Sequence, residues 1–169
     1  MSDVDPVTND PIASAERQAK AHDLVKRHMV LAAGAGLIPA PLWDIAAVSA
    51  VQLRMLKKIA ELYPSVRFNA EVGKSAIASL TGGLGATYLG ARVLGALRFM
   101  PGLGPLLGAT AIPFMAAAAT YAVGRVFTQH FASDGTLLTF NPDTMKHAYA
   151  DLYAEGKKKA AEIVSALVR

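Results

Sequence analysis

The sequence has no cysteine. That excludes disulfides, thiolate metal sites and a thiol nucleophile. Charge is also scarce: 18% of residues are charged, against roughly 25% in soluble domains. The balance of 17 Lys and Arg against 13 Asp and Glu leaves a net charge of +4. Such an excess permits contact with anionic lipid headgroups and falls short of a nucleic-acid footprint, so no nucleic-acid partner is expected. The histidines are His22, His28, His130 and His147. His22 and His28 do not share a helix face, and neither has an acid three or four residues on, so spacing supplies no metal pair. No nucleophile–base set emerges. A non-enzymatic protein without metal or cofactor is the expectation. The opening MSDVDPVTND is acidic and polar, lacks the basic start and apolar stretch of a signal peptide, and reads as disordered over 1–10.

What the chain does have is apolar sequence, 53% of its residues. It is concentrated in two tracts broken by prolines. His28 to Leu53 carries Asp44 as its lone charge and breaks at Pro39 and Pro41. Ser75 to Gly124 carries only Arg92 and Arg98 and breaks at FMPGLGPLL. Proline lacks the amide hydrogen and disfavours helix in the residue before it, so each break reads as a hairpin tip. The first tip holds Pro39 and Pro41; the second holds Pro101, Gly102, Gly104 and Pro105.

The pattern predicts an all-α fold with one helical domain over 11–169. Asp10-Pro11 marks a helix start, with a capping oxygen before a first-turn proline. The helix begins charged, with Ile12, Ala15, Ala19, Leu24 and Val25 as its apolar set, and runs on to about Leu37. A second helix follows from about Leu42 to Tyr63, with Val51, Met55, Ile59 and Leu62 on one side and Gln52 elsewhere. Hairpin one thus covers about 25–63 and hairpin two about 69–131, its helices running from about Asn69 to Phe99 and from about Pro105 to Phe131. Ser133-Asp134-Gly135 reads as a turn and Thr136–Phe140 as a short extended stretch. An amphipathic helix closes the chain over about 142–168. The basic run Lys157-Lys158-Lys159 lies on it among nearly balancing acids, a solvated face.

A membrane span needs roughly 20 apolar residues. Met29–Ile38 and Ile45–Leu53 are too short to span and suit a shallow insertion. Ser75–Leu97 and Leu106–Gly124 are long enough. Lys26, Arg27, Arg54, Lys57, Lys58, Lys74 and Arg125 all fall at the open ends of the hairpins, which predicts a shared basic base on the cytoplasmic side. Asp44, Arg92 and Arg98 are the candidate buried charges. The third helix has a small-residue face: Gly82, Ala86 and Gly90 on one row, Gly83, Thr87, Ala91 and Gly95 on the next. That spacing lets helix backbones approach and predicts self-association or partner binding.

Two nucleotide motifs fail. Gly73-Lys74-Ser75 matches the end of a phosphate-binding loop, but the required glycine five residues earlier is Phe68. Gly102, Gly104 and Gly108 miss the dinucleotide spacing by one residue and follow a helix rather than a strand.

The segments GLIPAPLWDIAAVSAVQLRMLKKIAELY and MPGLGPLLGATAIPFMAAAATYAVGRVFTQHFASDGTL resemble a bacterial domain-of-unknown-function family of helical-hairpin membrane modules. Gly36, Pro39, Pro41 and Asp44 carry the likeness in hairpin one. Pro101, Gly102, Gly104, Gly108, Thr120, Tyr121, Gly124 and Gly135-Thr136 carry it in hairpin two. The resemblance covers about Val25–Leu138. In that family the domain is often fused to Era-like or dynamin-like GTPases, which implies a GTPase as partner, since this chain carries no GTPase domain.

The sequence therefore predicts two apolar helix–proline–helix hairpins packed as a bundle, with amphipathic terminal helices. The expected role is a membrane-associated organiser or adaptor at the cytoplasmic face of a bacterial inner or internal membrane. Its expected partners are lipid, further copies of itself and a GTPase. The alternative is a soluble or peripheral helical binder of an apolar ligand such as lipid or haem.

Overall fold

In the computed structural model of the chain, residues 11–37, 43–88 and 104–167 are described, with side chains left out at 43–45, 83–88, 104–111, 164 and 167. Among the described residues there are five helices and no strand: α1 (Pro11–Ala35), α2 (Trp43–Ala60), α3 (Ala70–Tyr88), α4 (Gly104–Ala132) and α5 (Pro142–Leu167). They pack as a helical bundle. The expected hairpin tips Pro39, Pro41, Pro101 and Gly102 lie outside the described residues, as does the stretch 1–10.

Helix α4 is the axis of the bundle. Its most extensive partners are α5 and α1, then α2, and it meets α3 only lightly. Ala116–Ala118, Thr120–Val123 and Val126–Thr128 are all buried. A helix apolar around its whole circumference must be enclosed on every side. The tract Leu106–Gly124 was expected to be long enough to span a membrane. From Ala116 onward it is instead the wall-to-wall core of the bundle. Among the described residues no helix is long and apolar enough to cross a membrane.

The other helices lay one stripe each on this axis. In α1 the buried set is Ala21, Val25, His28, Met29, Ala32 and Ala33, a 3.6-residue period. The sequence placed Ile12, Ala15 and Ala19 on that stripe. They are exposed; the side of these first turns that faces the bundle carries Ser14, Arg17 and Gln18, which line a cleft with Tyr63 and Phe131. In α2, Gln52, Met55, Leu56, Ile59 and Ala60 face inward. Gln52 was expected on the polar side. It is buried because its side-chain amide donates to Thr120 Oγ1 at 3.3 Å, which offsets desolvation. Helix α5 buries Tyr149, Leu152 and Ala160.

Local chemistry sets the ends. Asn69 Oδ1 accepts from the amides of Glu71 (2.9 Å) and Val72 (3.1 Å), capping α3. Asn141 Oδ1 accepts from the Asp143 amide at 3.0 Å at the start of α5. After α4 the chain reverses through Asp134 in the left-handed region, φ 58°, a conformation Asp tolerates through its short polar side chain. The Gly135 amide then bonds His130 O at 2.9 Å. Residues 136–140 were expected to be extended and are a turn instead: the Thr136 amide donates to Thr139 Oγ1 at 2.9 Å. Hydroxyls of this kind close local turns in competition with strand pairing. The turn brings Phe140 onto Phe127, ring centroids 4.5 Å apart.

Candidate functional site

One exposed face of α1 changes character along its length. Asp23, Lys26 and Arg27 are exposed, and after them come Val30 (45%), Leu31 (53%), Gly34 and Leu37 (45%). The spacing 23, 26, 27, 30, 31, 34, 37 keeps them on one side of the helix. The opposite side of the same turns is the buried stripe Met29, Ala32 and Ala33. The apolar end leads into the segment with Pro39 and Pro41, which lies outside the described residues. On α2, Ala46, Ser49 and Ala50 are exposed near the start of the helix, and Arg54 and Lys57 farther along it. Both arms of hairpin one therefore run from a basic level to an apolar or small-residue level. From Arg27 to Ala35 the helix rises about 12 Å, within one leaflet of about 15 Å.

A second polar feature lies at the seam of α1, α4 and α5. Tyr121 Oη donates to Glu155 Oε1 at 2.6 Å. Burial and this carboxylate push the Tyr121 phenol up to about 12. The same bond holds the Glu155 carboxyl below its ordinary value. Lys159 Nζ lies 3.7 Å from Glu155 and 5.7 Å from the Tyr121 ring centroid. One turn along α4, Arg125 Nη1 lies 3.2 Å from His22 Nδ1. A guanidinium only donates, so His22 Nδ1 is the acceptor and the ring is neutral there. Burial, followed by Lys26, Arg125 and Lys159, holds His22 below its usual value.

The sequence-predicted site residues fare unevenly. Asp44 stands in the first turn of α2, with its side chain among those not described. Arg92, Arg98, Gly90, Ala91 and Gly95 lie outside the described residues. Gly104 and Pro105 open α4. Gly83, Ala86 and Thr87 are in α3, but their side-chain surroundings are not described. Gly82 is exposed, and among the described residues a Cβ there would meet nothing within 4 Å. The close approaches occur elsewhere. A Cβ on Gly36 would fall 2.9 Å from Pro113 Cα, one on Gly124 2.5 Å from Val25 Cγ2, and one on Gly156 2.8 Å from the Ala118 carbonyl oxygen. The seam residues His22, Tyr121 and Glu155 carried no sequence signal as a set, since three separate helices supply them. Arg125 was legible only as part of the basic base, and Lys26 of that base does join it at His22.

Lys74, the lysine of the failed phosphate-loop motif, pairs with Glu71 at 2.9 Å on the first turns of α3. Among the described residues, no group of three or more His, Asp or Glu is placed to hold a metal ion. A cleft of about 340 Å³ between the start of α1 and the α2–α3 link is lined by Ser14, Arg17, Gln18, Tyr63 and Asp134 among others.

The sequence matches the profile of a domain of unknown function, DUF697, over residues 10–158. The chain belongs to the DUF697 family. The match extends beyond both ends of the segments on which the resemblance was read. It takes in all of α1 and most of α5, in keeping with their packing on α4. A relative named magnetosome membrane protein 22, from Magnetospirillum gryphiswaldense, is 38% identical over 160 residues. The alignment covers 94% of this chain and 82% of the relative. No solved structure matches.

Proposed function

We propose that this DUF697 protein is a non-enzymatic, membrane-associated organiser that docks by its first hairpin. The carrying observation is the α1 face that passes from Lys26 and Arg27 to Val30, Leu31 and Leu37. Half-exposed aliphatic side chains gain on the order of 1 kcal/mol each when covered by acyl chains. Each Lys or Arg near an anionic surface adds about 1 kcal/mol. The two sets sit at the depths that a tip-first, one-leaflet insertion needs. A relative described as a membrane protein of magnetosomes supports the location. By this reading, the protein lies on the cytoplasmic face of a bacterial inner or internal membrane.

The finer part of the proposal is what the docked protein gathers. The exposure of Gly82, at the start of the α3 small-residue face, supports self-association through that face. A GTPase is the partner class implied by the family's domain fusions.

Vesicle flotation tests the docking. The protein is expected to float with vesicles containing anionic lipid, and less so as salt rises. Leu31→Glu is expected to weaken flotation about tenfold or more while leaving helix content unchanged, because Leu31 faces solvent in the bundle. Equal flotation of Leu31→Glu and the wild type would sink the hairpin-one reading.

A further inference from the structure

The seam of α1, α4 and α5 gathers three cations, Lys26, Arg125 and Lys159, around one imidazole, and of these Lys159 pairs with Glu155. Arg125 is partly buried and uses Nη1 on His22. Its Nε is shut off from solvent and has no hydrogen-bond partner. Among the described residues no carboxylate lies within ion-pair distance of it. Glu155 is already taken by Tyr121 at 2.6 Å and approached by Lys159 at 3.7 Å. Lys26, one turn on from His22 along α1, and Lys159 on α5 both act electrostatically on the same imidazole. The charged groups facing His22 are thus Lys26, Arg125 and Lys159 on one side of the balance and Asp23 on the other. A desolvated guanidinium nitrogen without an acceptor is costly. Nε itself is closed off, but Arg125 is only partly buried, and an oxyanion meeting the accessible side of its planar guanidinium fork stabilises the same charge.

We propose that Arg125, Lys26, Lys159 and His22 form a binding site for a phosphate-type oxyanion, carried by a lipid headgroup or free in solution. The site is separate from the apolar face of hairpin one and does not rest on membrane docking. On binding, the anion accepts from the Arg125 guanidinium, and His22, freed from accepting at Nδ1, takes up a proton and donates to it. Anion binding and His22 protonation therefore favour each other.

The full chain is titrated with inorganic phosphate at constant ionic strength, with the His22 imidazole followed by NMR. Expected is a saturable shift with half-saturation in the millimolar range and a His22 titration midpoint that moves up. Arg125→Gln is expected to weaken the response about tenfold or more. Lys26→Gln, on an exposed side chain, is expected to weaken it by a smaller factor with the fold retained, so the test does not depend on Arg125→Gln folding. A parallel arm uses phosphatidic acid vesicles against phosphatidylcholine vesicles. A response to phosphatidic acid that exceeds that to free phosphate, and that Lys26→Gln weakens, supports the site with a lipid source. An equal shift with chloride, a response unchanged in Lys26→Gln, or no response to either phosphate source overturns the proposal. Flotation by hairpin one can fail without affecting the free-phosphate arm, so the two readings are separable.

Discussion

Glycines separate two kinds of position that look alike in the sequence. At Gly156 a Cβ would fall 2.8 Å from the Ala118 carbonyl oxygen, a backbone atom that cannot swing away. Gly156→Ala is therefore expected to destabilise the bundle by about 1–3 kcal/mol. At Gly82 a Cβ meets nothing, so Gly82→Ala is expected to stabilise α3 by about 1 kcal/mol through helix propensity. Urea unfolding of the two variants checks the opposite signs. The same Gly82→Ala protein, crosslinked at high concentration, reports whether that face is used between copies. Glycine spacing alone drew attention to α3. What decides whether a glycine is needed is the atom opposite it, and that atom belongs to another helix.

The histidines set a pH dependence. His28 is 3% exposed and its Nδ1–H donates to Leu24 O at 2.7 Å. Burial holds its pKa below the ordinary value; the backbone bond opposes, and Lys58 and Arg54 act with burial. The folded chain thus binds this proton less readily than the unfolded chain does. Stability is unaffected above the unfolded value of 6.5 and falls as pH drops below it towards the folded value. His22 acts with the same sign. Glu155, whose carboxyl is held low, contributes stability above its ordinary 4.5 that is lost only at lower pH. The loss of melting temperature is expected to begin in the histidine range, before the carboxylates titrate. His28→Gln is expected to flatten that first part of the profile in a thermal melt followed at several pH values.

At the scale of the helix, caps and stripes were more legible than environments. Asp10-Pro11 and Asn141-Pro142 announced the starts of α1 and α5, and the α1, α2, α4 and α5 boundaries fall within a few residues of expectation. The cap of α3 can be tested. Asn69 accepts from two amides, so Asn69→Ala is expected to cost about 1 kcal/mol in urea unfolding, with Asn69→Asp restoring most of it. Helix α4 was the element whose surroundings were not legible. An all-round apolar helix satisfies a lipid bilayer and a bundle centre equally well. The choice depends on whether α1, α2 and α5 carry stripes that fit it, which requires the tertiary arrangement. Thr120 and Tyr121 inside the tract, and Thr128 just beyond it, were a partial clue. Each finds a partner within the protein: Gln52, Glu155 and the Gly124 carbonyl respectively.

At the scale of the whole molecule, the two proline-broken tracts differ in kind. Hairpin one presents aliphatic side chains outward at the end of α1, whereas the second tract from Ala116 to Gly124 spends its apolar surface on the bundle axis. The bundle therefore depends on α5, which is not part of either hairpin. Tyr149, Leu152 and Ala160 close one side of α4, and Glu155 provides the acceptor for the buried Tyr121 hydroxyl. Removing α5 would uncover Ala118 and Tyr121, on which Gly156 packs, and leave Tyr121 without its carboxylate. Fully burying a large apolar side chain contributes about 1.5–3 kcal/mol, and total stabilities are about 5–15 kcal/mol. Loss of the burial of Tyr121, Tyr149 and Leu152 and of one charge-assisted hydrogen bond is then comparable with the whole. A chain ending at residue 141 is expected to retain helical signal without a cooperative thermal transition. Tyr121→Phe in the full chain is expected to melt cooperatively with a loss of only about 1–2 kcal/mol. A truncated chain that melts as sharply as the full one would show that the two hairpins are stable without α5, and that α4 is not the axis on which the fold depends.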